Sequence, residues 1–132
     1  MTCVLVIDGD LTARAAITAL LETEGFEVAV ADDGEAGRRV AEASGFDAVI
    51  IDIAAPRVDG LDTIKALREQ APTVPIIAIA PVRFRNCLGP DRDFLAAATD
   101  LGAAIGLYKP FAPRDLITAV VTCIGERTRT QR

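Results

Sequence analysis

Five short apolar runs rich in β-branched residues recur along this chain, Cys3 to Ile7, Val28 to Ala31, Ala48 to Ile53, Ile76 to Ala80 and Ala104 to Leu107, and each is followed by a stretch of helical periodicity. A run that is apolar at almost every position suits a strand covered on both faces, and strands alternating with helices are joined by crossovers into a parallel sheet. Thr12 to Glu24 carries Ile17, Leu20 and Leu21 at helical spacing and stops at Gly25, a natural helix cap. Gly34 to Ser44, Leu61 to Gln70, Asp93 to Leu101 and Pro113 to Glu126 read as the other helices. The last opens on a proline, tolerated in a first turn, and continues through Leu116, Ile117, Val120, Val121 and Ile124. The expected fold class is α/β, a (βα)5 chain in a doubly wound parallel sheet. One domain is expected over residues 1–126, because 132 residues with 51% apolar content suffice for a single core. Beyond it "RTRTQR" loses all apolar period and reads as a flexible tail over 127–132. Right-handed crossovers in such a sheet put the working site at the carboxyl ends of the central strands, which singles out Asp8, Gly9, Asp10, Asp52, Ala80 and Lys109.

Charge and residue usage remove several chemistries. With 14 Lys and Arg against 19 Asp and Glu the net charge is -5, whereas binding to a phosphate backbone calls for a basic patch, so no nucleic-acid partner is expected. The chain has no histidine, and Cys3, Cys87 and Cys123 are odd in number and far apart. That excludes zinc sites and disulfide frameworks and fits a reducing compartment. No basic segment precedes the short first apolar run, and no run approaches the roughly 20 apolar residues of a membrane span. A cytoplasmic protein with no membrane partner is expected.

The stretch "VIDGDLT", Val6 to Thr12, taken alone fits the D-x-D-x-[TV] nucleophile motif of haloacid-dehalogenase-type phosphatases, with Asp8 as nucleophile and Asp10 as acid/base. That enzyme needs a longer chain, a Ser or Thr closing a central strand and a late acidic pair for Mg²⁺; here the strand closes on Ala80 and no such pair follows. A different grouping is available. Asp8 follows the first run, Asp52 ends the third inside "IIDIAAPRVDG", and Lys109 follows the fifth in "YKPF", three places that a parallel sheet brings together. An ionisable group inside "VIIDI" is costly to bury unless paired or metal-bound, and Lys109 supplies a partner. Plainer roles stay open beside this one: solvated or capping carboxylates for Asp8 and Asp52, a structural counter-ion for Lys109, and a cap on the first helix for Asp10.

"CVLVIDGD", "FDAVIIDIAAPRVDGLDTIKALRE", "PIIAIA" and "LGAAIGLYKPFAPRDLITAV" resemble, in order and spacing, the response-regulator receiver domain of two-component signalling, over nearly the whole chain. Its most specific signatures are Asp52, Pro56 and Gly60 at four-residue intervals and the tripeptide Lys109-Pro110-Phe111. The resemblance implies a flavodoxin-like sheet in strand order 2-1-3-4-5 and a non-enzymatic phosphoprotein in a phosphorelay. It makes Asp52 the phosphoacceptor, Lys109 the lysine that neutralises incoming charge, and Asp8, Asp52 and the Ala54 backbone carbonyl the ligands of Mg²⁺. Three positions depart from the family pattern. The second acidic position is Gly9, which weakens the metal site unless Asp10 serves from one residue further on. The hydroxyl residue that closes the fourth strand is replaced by Ala80, and the aromatic of the fifth strand by Gly106, with Tyr108 two residues away on the same strand face.

Two functional readings follow. In one, a histidine kinase or phosphotransfer protein phosphorylates Asp52 and the signal passes to a downstream target protein. In the other, a phosphorylation-independent pseudo-receiver binds partners through its last helices or through "PVRFRNCLGPDRD", a long segment that gathers Arg83, Arg85 and Arg92 around Phe84. With little chain after the fifth helix, a stand-alone receiver is expected, and a homodimer through the fourth and fifth helices would use Leu95, Ile105 and Val121. The phosphatase reading separates from both by assay: it requires turnover of a generic aryl phosphate that disappears in Asp8→Asn, whereas a receiver gives no turnover in either protein.

Overall fold

A computed structural model describes residues 2–54 and 59–130, with side chains in the last helix through Arg127. Five strands, β1 (Cys3–Ile7), β2 (Glu27–Ala31), β3 (Ala48–Asp52), β4 (Ile76–Pro81) and β5 (Ile105–Lys109), pair in parallel in the order β2-β1-β3-β4-β5. The helices are α1 (Leu11–Thr23), α2 (Gly34–Ala43), α3 (Gly60–Gln70), α4 (Phe94–Asp100) and α5 (Pro113–Thr130). The doubly wound (βα)5 architecture expected from the alternating runs is therefore the one observed. Boundaries differ by a residue or two, except that α5 continues through Thr130 where its apolar period stops near Glu126. The continuation has a polar anchor: the Arg127 guanidinium donates to the Phe46 carbonyl at 3.2 Å and lies 3.7 Å from Asp47. Residues 131 and 132 of the expected tail lie outside the described residues.

Period-two alternation divides each strand between two cores. Val4 and Val6, Ala48 and Ile50, and Ile77 and Ile79 face α1 and α5, where Ile17, Leu21, Leu116, Ala119 and Val120 meet them. Leu5 and Ile7, Val49 and Ile51, and Ala78 and Ala80 face the other way, toward α2, α3 and α4, with Ile64, Leu67, Phe94 and Leu95. Carrying the parity one step past each strand centre decides the site. Asp8, Asp52 and Lys109 continue the rows that face α1 and α5, while Gly106 and Tyr108 fall on the α4 side.

Helix starts are set by aspartates. Asp10 accepts from the Thr12 amide, Asp33 from the Ala36 amide, and Asp93 from the Leu95 and Ala96 amides, each satisfying donors that have no partner within the helix and each worth about 1 kcal/mol. The long segment after β4 is built rather than bare. A 3-10 turn spans Val82–Phe84, successive turns are closed by Arg85 N–H to the Val82 carbonyl, Cys87 to Phe84, Gly89 to Asn86 and Arg92 to Gly89, and the Phe94 N–H returns to the Arg85 carbonyl at 2.9 Å.

One glycine is required by close approach. At the start of α3, a Cβ on Gly60 would overlap the Ile53 backbone, its Cα and carbonyl included, so this helix can lie against the end of β3 only with no side chain there. Gly60→Ala is expected to lower stability by about 3 kcal/mol, the upper range for forced overpacking, because backbone must move. Gly45→Ala, where a Cβ meets nothing within 4 Å, stays within about 0.5 kcal/mol of the parent. Urea unfolding of the two variants measures the difference.

Candidate functional site

At the carboxyl end of the sheet, the Lys109 ammonium stands between two carboxylates from neighbouring strands. Its Nζ is 2.6 Å from Asp52 Oδ2 and 3.8 Å from Asp8 Oδ2. Both carboxylates are buried, Asp8 at 1% and Asp52 at 4% exposure, while the Lys109 side chain keeps 28%. The local turns hold the acids in place. Asp52 Oδ1 accepts from the Ala54 amide at 2.9 Å, and Asp8 Oδ1 accepts from the Asp10 amide at 2.9 Å. Each carboxylate thus has one oxygen fixed by backbone and the other turned toward Lys109.

The two outer oxygens are not equivalent. Asp52 Oδ2 receives the ammonium hydrogen bond, whereas Asp8 Oδ2 is buried with no hydrogen-bond partner. One ammonium faces two carboxylates here. Burial pushes the Asp8 carboxyl above the ordinary aspartate range, the neighbouring charges of Asp52 and Asp10 add to the shift, and the Asp10 amide and Lys109 oppose it. An oxygen left bare in this way is what a bound cation would satisfy. Asp8, Asp52 and the Ala54 carbonyl are consistent with the one or two carboxylates plus waters that Mg²⁺ accepts.

Asp10 does not join them. Its carboxylate Oδ1 accepts from the Thr12 amide at 3.0 Å and caps α1, the plainer of the two roles considered for it. Among the described residues no cluster of three or more potential metal-ligating side chains forms. The same cap argues against the phosphatase reading of "VIDGDLT", in which this carboxylate has to act on substrate. Pro56 lies outside the described residues. Cys3, Cys87 and Cys123 are all free thiols.

Two arrangements escape sequence reasoning. Arg14, one turn into α1, donates to the Asp8 carbonyl at 2.8 Å and ties the helix to the residue that carries the first carboxylate. Its only sequence signal is its position four residues after the Asp10 cap. On the opposite face, Ala80 is paired with Tyr108 and Ala78 with Gly106 across β4 and β5. The Tyr108 hydroxyl donates to Asp93 Oδ1 at 2.6 Å, and the Arg85 guanidinium lies 4.8 Å from the Tyr108 ring centre. Of the apolar residues considered for a dimer face, Leu95 is buried in the core and Ile105 packs against the α1 and α5 side, leaving Val121 exposed.

The family model for the response regulator receiver domain matches residues 4–121. The chain belongs to this family. Among curated relatives of this receiver, the transcriptional regulatory protein CpxR of Escherichia coli (strain K12) is 34% identical over 120 residues, covering 91% of the chain and 48% of the relative. The alkaline phosphatase synthesis transcriptional regulatory protein PhoP of Bacillus subtilis (strain 168) is 31% identical, covering 95% and 49%. The receiver thus spans about half the length of the curated relatives it matches. Both are named transcriptional regulators, so the net charge of -5 bears only on these 132 residues and not on what a longer regulator contacts. Among solved structures, a CheY-like receiver from Methanospirillum hungatei JF-1 superposes with a TM-score of 0.86 at 21% identity, covering 98% of both chains. A Clostridium thermocellum receiver gives 0.83 at 25%, covering 98% of this chain and 99% of that one. Among the described residues no helix is long and apolar enough to cross a membrane.

A raised Asp8 pKa means that the folded receiver holds this proton more tightly than the unfolded chain, so ionising Asp8 costs stability. The cost is absent below the ordinary aspartate value near 3.9, grows as pH rises from there, and is complete above the raised value. Asp8→Asn is therefore expected to be more stable than the parent by about 1 kcal/mol at neutral pH, the order set by one bare buried oxygen. The gap should close as the pH falls below the ordinary aspartate range, which thermal melts across the acidic range will read.

Proposed function

We propose that this receiver accepts a phosphoryl group on Asp52 from a histidine kinase, a phosphotransfer protein or a small phosphodonor. The observation that carries the reading is Lys109 Nζ set between Asp52 and Asp8 with Asp8 Oδ2 left bare. A carboxylate is a weak nucleophile, so the site must neutralise the charge that collects as the phosphoryl group arrives. Asp52 Oδ2 is the attacking atom: it forms the new P–O bond, the bond from phosphorus to the donor breaks, and the donor keeps that electron pair. Asp52 Oδ1, fixed by the Ala54 amide, holds the carboxylate in one rotamer.

Lys109 has to release Oδ2 and move onto the phosphoryl oxygens, which its partly exposed side chain permits. Asp8, Asp52 and the Ala54 carbonyl are the groups that would hold Mg²⁺, which when bound supplies the second positive charge against the phosphoryl oxygens. With Gly9 beside Asp8 that binding is weak and rests on two carboxylates.

A second reading, the phosphorylation-independent binding module, draws on the other face. Ala80, one residue before the end of β4, offers only a methyl group, and the space above Gly106 is taken by Leu95, whose Cβ would lie 2.9 Å from a Cβ at that position. No hydroxyl is offered there and no ring can enter.

Incubation with acetyl phosphate and Mg²⁺ followed by intact mass tests the first reading. The mass of one phosphoryl group is expected on the parent protein and on Lys109→Arg at a reduced rate, and not on Asp52→Asn. Mg²⁺ alone should raise the melting temperature of the parent in proportion to its binding and leave Asp8→Asn unmoved. No added mass together with no Mg²⁺ stabilisation would leave only the binding module.

A further inference from the structure

Near the site end, the strands that face α4 carry one polar side chain. On β4 and β5 the residues on that side are Ala78, Ala80, Gly106 and Tyr108, and only Tyr108 has an atom that can exchange hydrogen bonds. Its hydrogen and one acceptor site are both engaged. Its hydroxyl donates to Asp93 Oδ1 at 2.6 Å and accepts from the Leu95 amide at 3.1 Å, joining β5 to the first turn of α4. Arg85 covers the ring at 4.8 Å and approaches the other Asp93 oxygen at 3.9 Å, so the long segment is tied to the same point. Beneath it Phe84 and Phe94 stack at 6.1 Å, and Leu95 fills the space beside Gly106.

We propose that Tyr108, gripping Asp93 under Arg85, is a latch that holds α4 and the segment 82–93 on β5 in one position whatever the state of Asp52. A group at Asp52 shifts α4 only if it contacts one position of α4 better than another, directly or through a side chain that moves. Ala80 has nothing to donate, Leu95 blocks inward movement beside Gly106, and the Tyr108 hydroxyl is already spent twice. The phenol is held in its neutral, donating form, since burial and the adjacent Asp93 carboxylate both push its ionisation up. The α4 face is therefore set by a local polar cluster, and it opens when that cluster breaks. The inference does not depend on Asp52 accepting phosphate.

The latch can be removed without touching the helix cap, because Asp93 still accepts from Leu95 and Ala96 when the phenol is gone. In Tyr108→Phe, amide hydrogen exchange at Phe94, Leu95 and Ala96 is expected to accelerate about tenfold, the scale of one hydrogen bond to a charged group, with β1 and β3 amides unchanged. The chain has one tyrosine and no tryptophan, so intrinsic fluorescence reports Tyr108 alone. Asp93→Asn should change that emission, and acetyl phosphate with Mg²⁺ should not, even as intact mass records phosphoryl transfer. Unchanged exchange in Tyr108→Phe overturns the latch. Emission that follows phosphoryl occupancy overturns its independence of Asp52. No phosphoryl uptake at all overturns the phosphoacceptor reading instead, and the exchange result then decides the latch by itself.

Discussion

Everything at the mouth of the sheet depends on one ammonium group placed between two buried carboxylates. Without Lys109, Asp8 and Asp52 would present two negative charges to each other in a setting that water hardly reaches, and one would take up a proton. With it, the pair is tolerated but incompletely neutralised, and the shortfall is localised on Asp8 Oδ2. A site short of positive charge favours a further cation, and in the proposed reaction that cation would help to neutralise the charge an incoming phosphoryl group brings. Asp8 is thereby worth less to stability than its burial suggests and more to chemistry.

How the three residues reach one another is a matter of parity. Asp8 follows β1, and Asp52 and Lys109 are the last residues of β3 and β5; alternate side chains of all three strands pack against α1 and α5, so parity fixes the face and the crossovers fix the end. One residue inserted into β3 or β5 would send Asp52 or Lys109 to the α4 side and dismantle the pocket without disturbing the apolar content of either strand. Gly60 adds the second constraint, letting α3 press against the end of β3.

Strand parity also decides which parts of the molecule are legible in the sequence. Unbroken apolar runs identify the strands, and the residues closing them identify Asp8, Asp52 and Lys109 as neighbours before any coordinates. The Asp10 carboxylate stayed ambiguous because capping and metal binding ask for the same residue type, and only the direction of the side chain separates them. The end of α5 was misplaced because a salt-linked arginine carries no apolar period. The Tyr108 cluster was invisible for a deeper reason: it joins residues 15 and 23 positions apart through a segment of turns whose path no periodicity encodes. A solitary tyrosine beside Lys109 and an aspartate at a helix start were the available signals, and nothing in the sequence aims one at the other.

Residues 108 and 109 are consecutive on β5 and therefore point to opposite faces. Lys109 reaches the acid pocket on the α1 and α5 side, and Tyr108 grips α4 on the other. In a sheet hydrogen-bonded along its length, a strand transmits displacement only if it slides or twists against its neighbour, and β5 is paired with β4 from Ile105 through Lys109. If Lys109 moves from Asp52 Oδ2 to an adjacent phosphoryl oxygen as proposed, its four-carbon stem can make that change by rotation of the side chain. The link between the two faces is one peptide, with Lys109 held by Asp52 on one side and Tyr108 by Asp93 on the other, so in the proposed reading chemistry at Asp52 need not move α4.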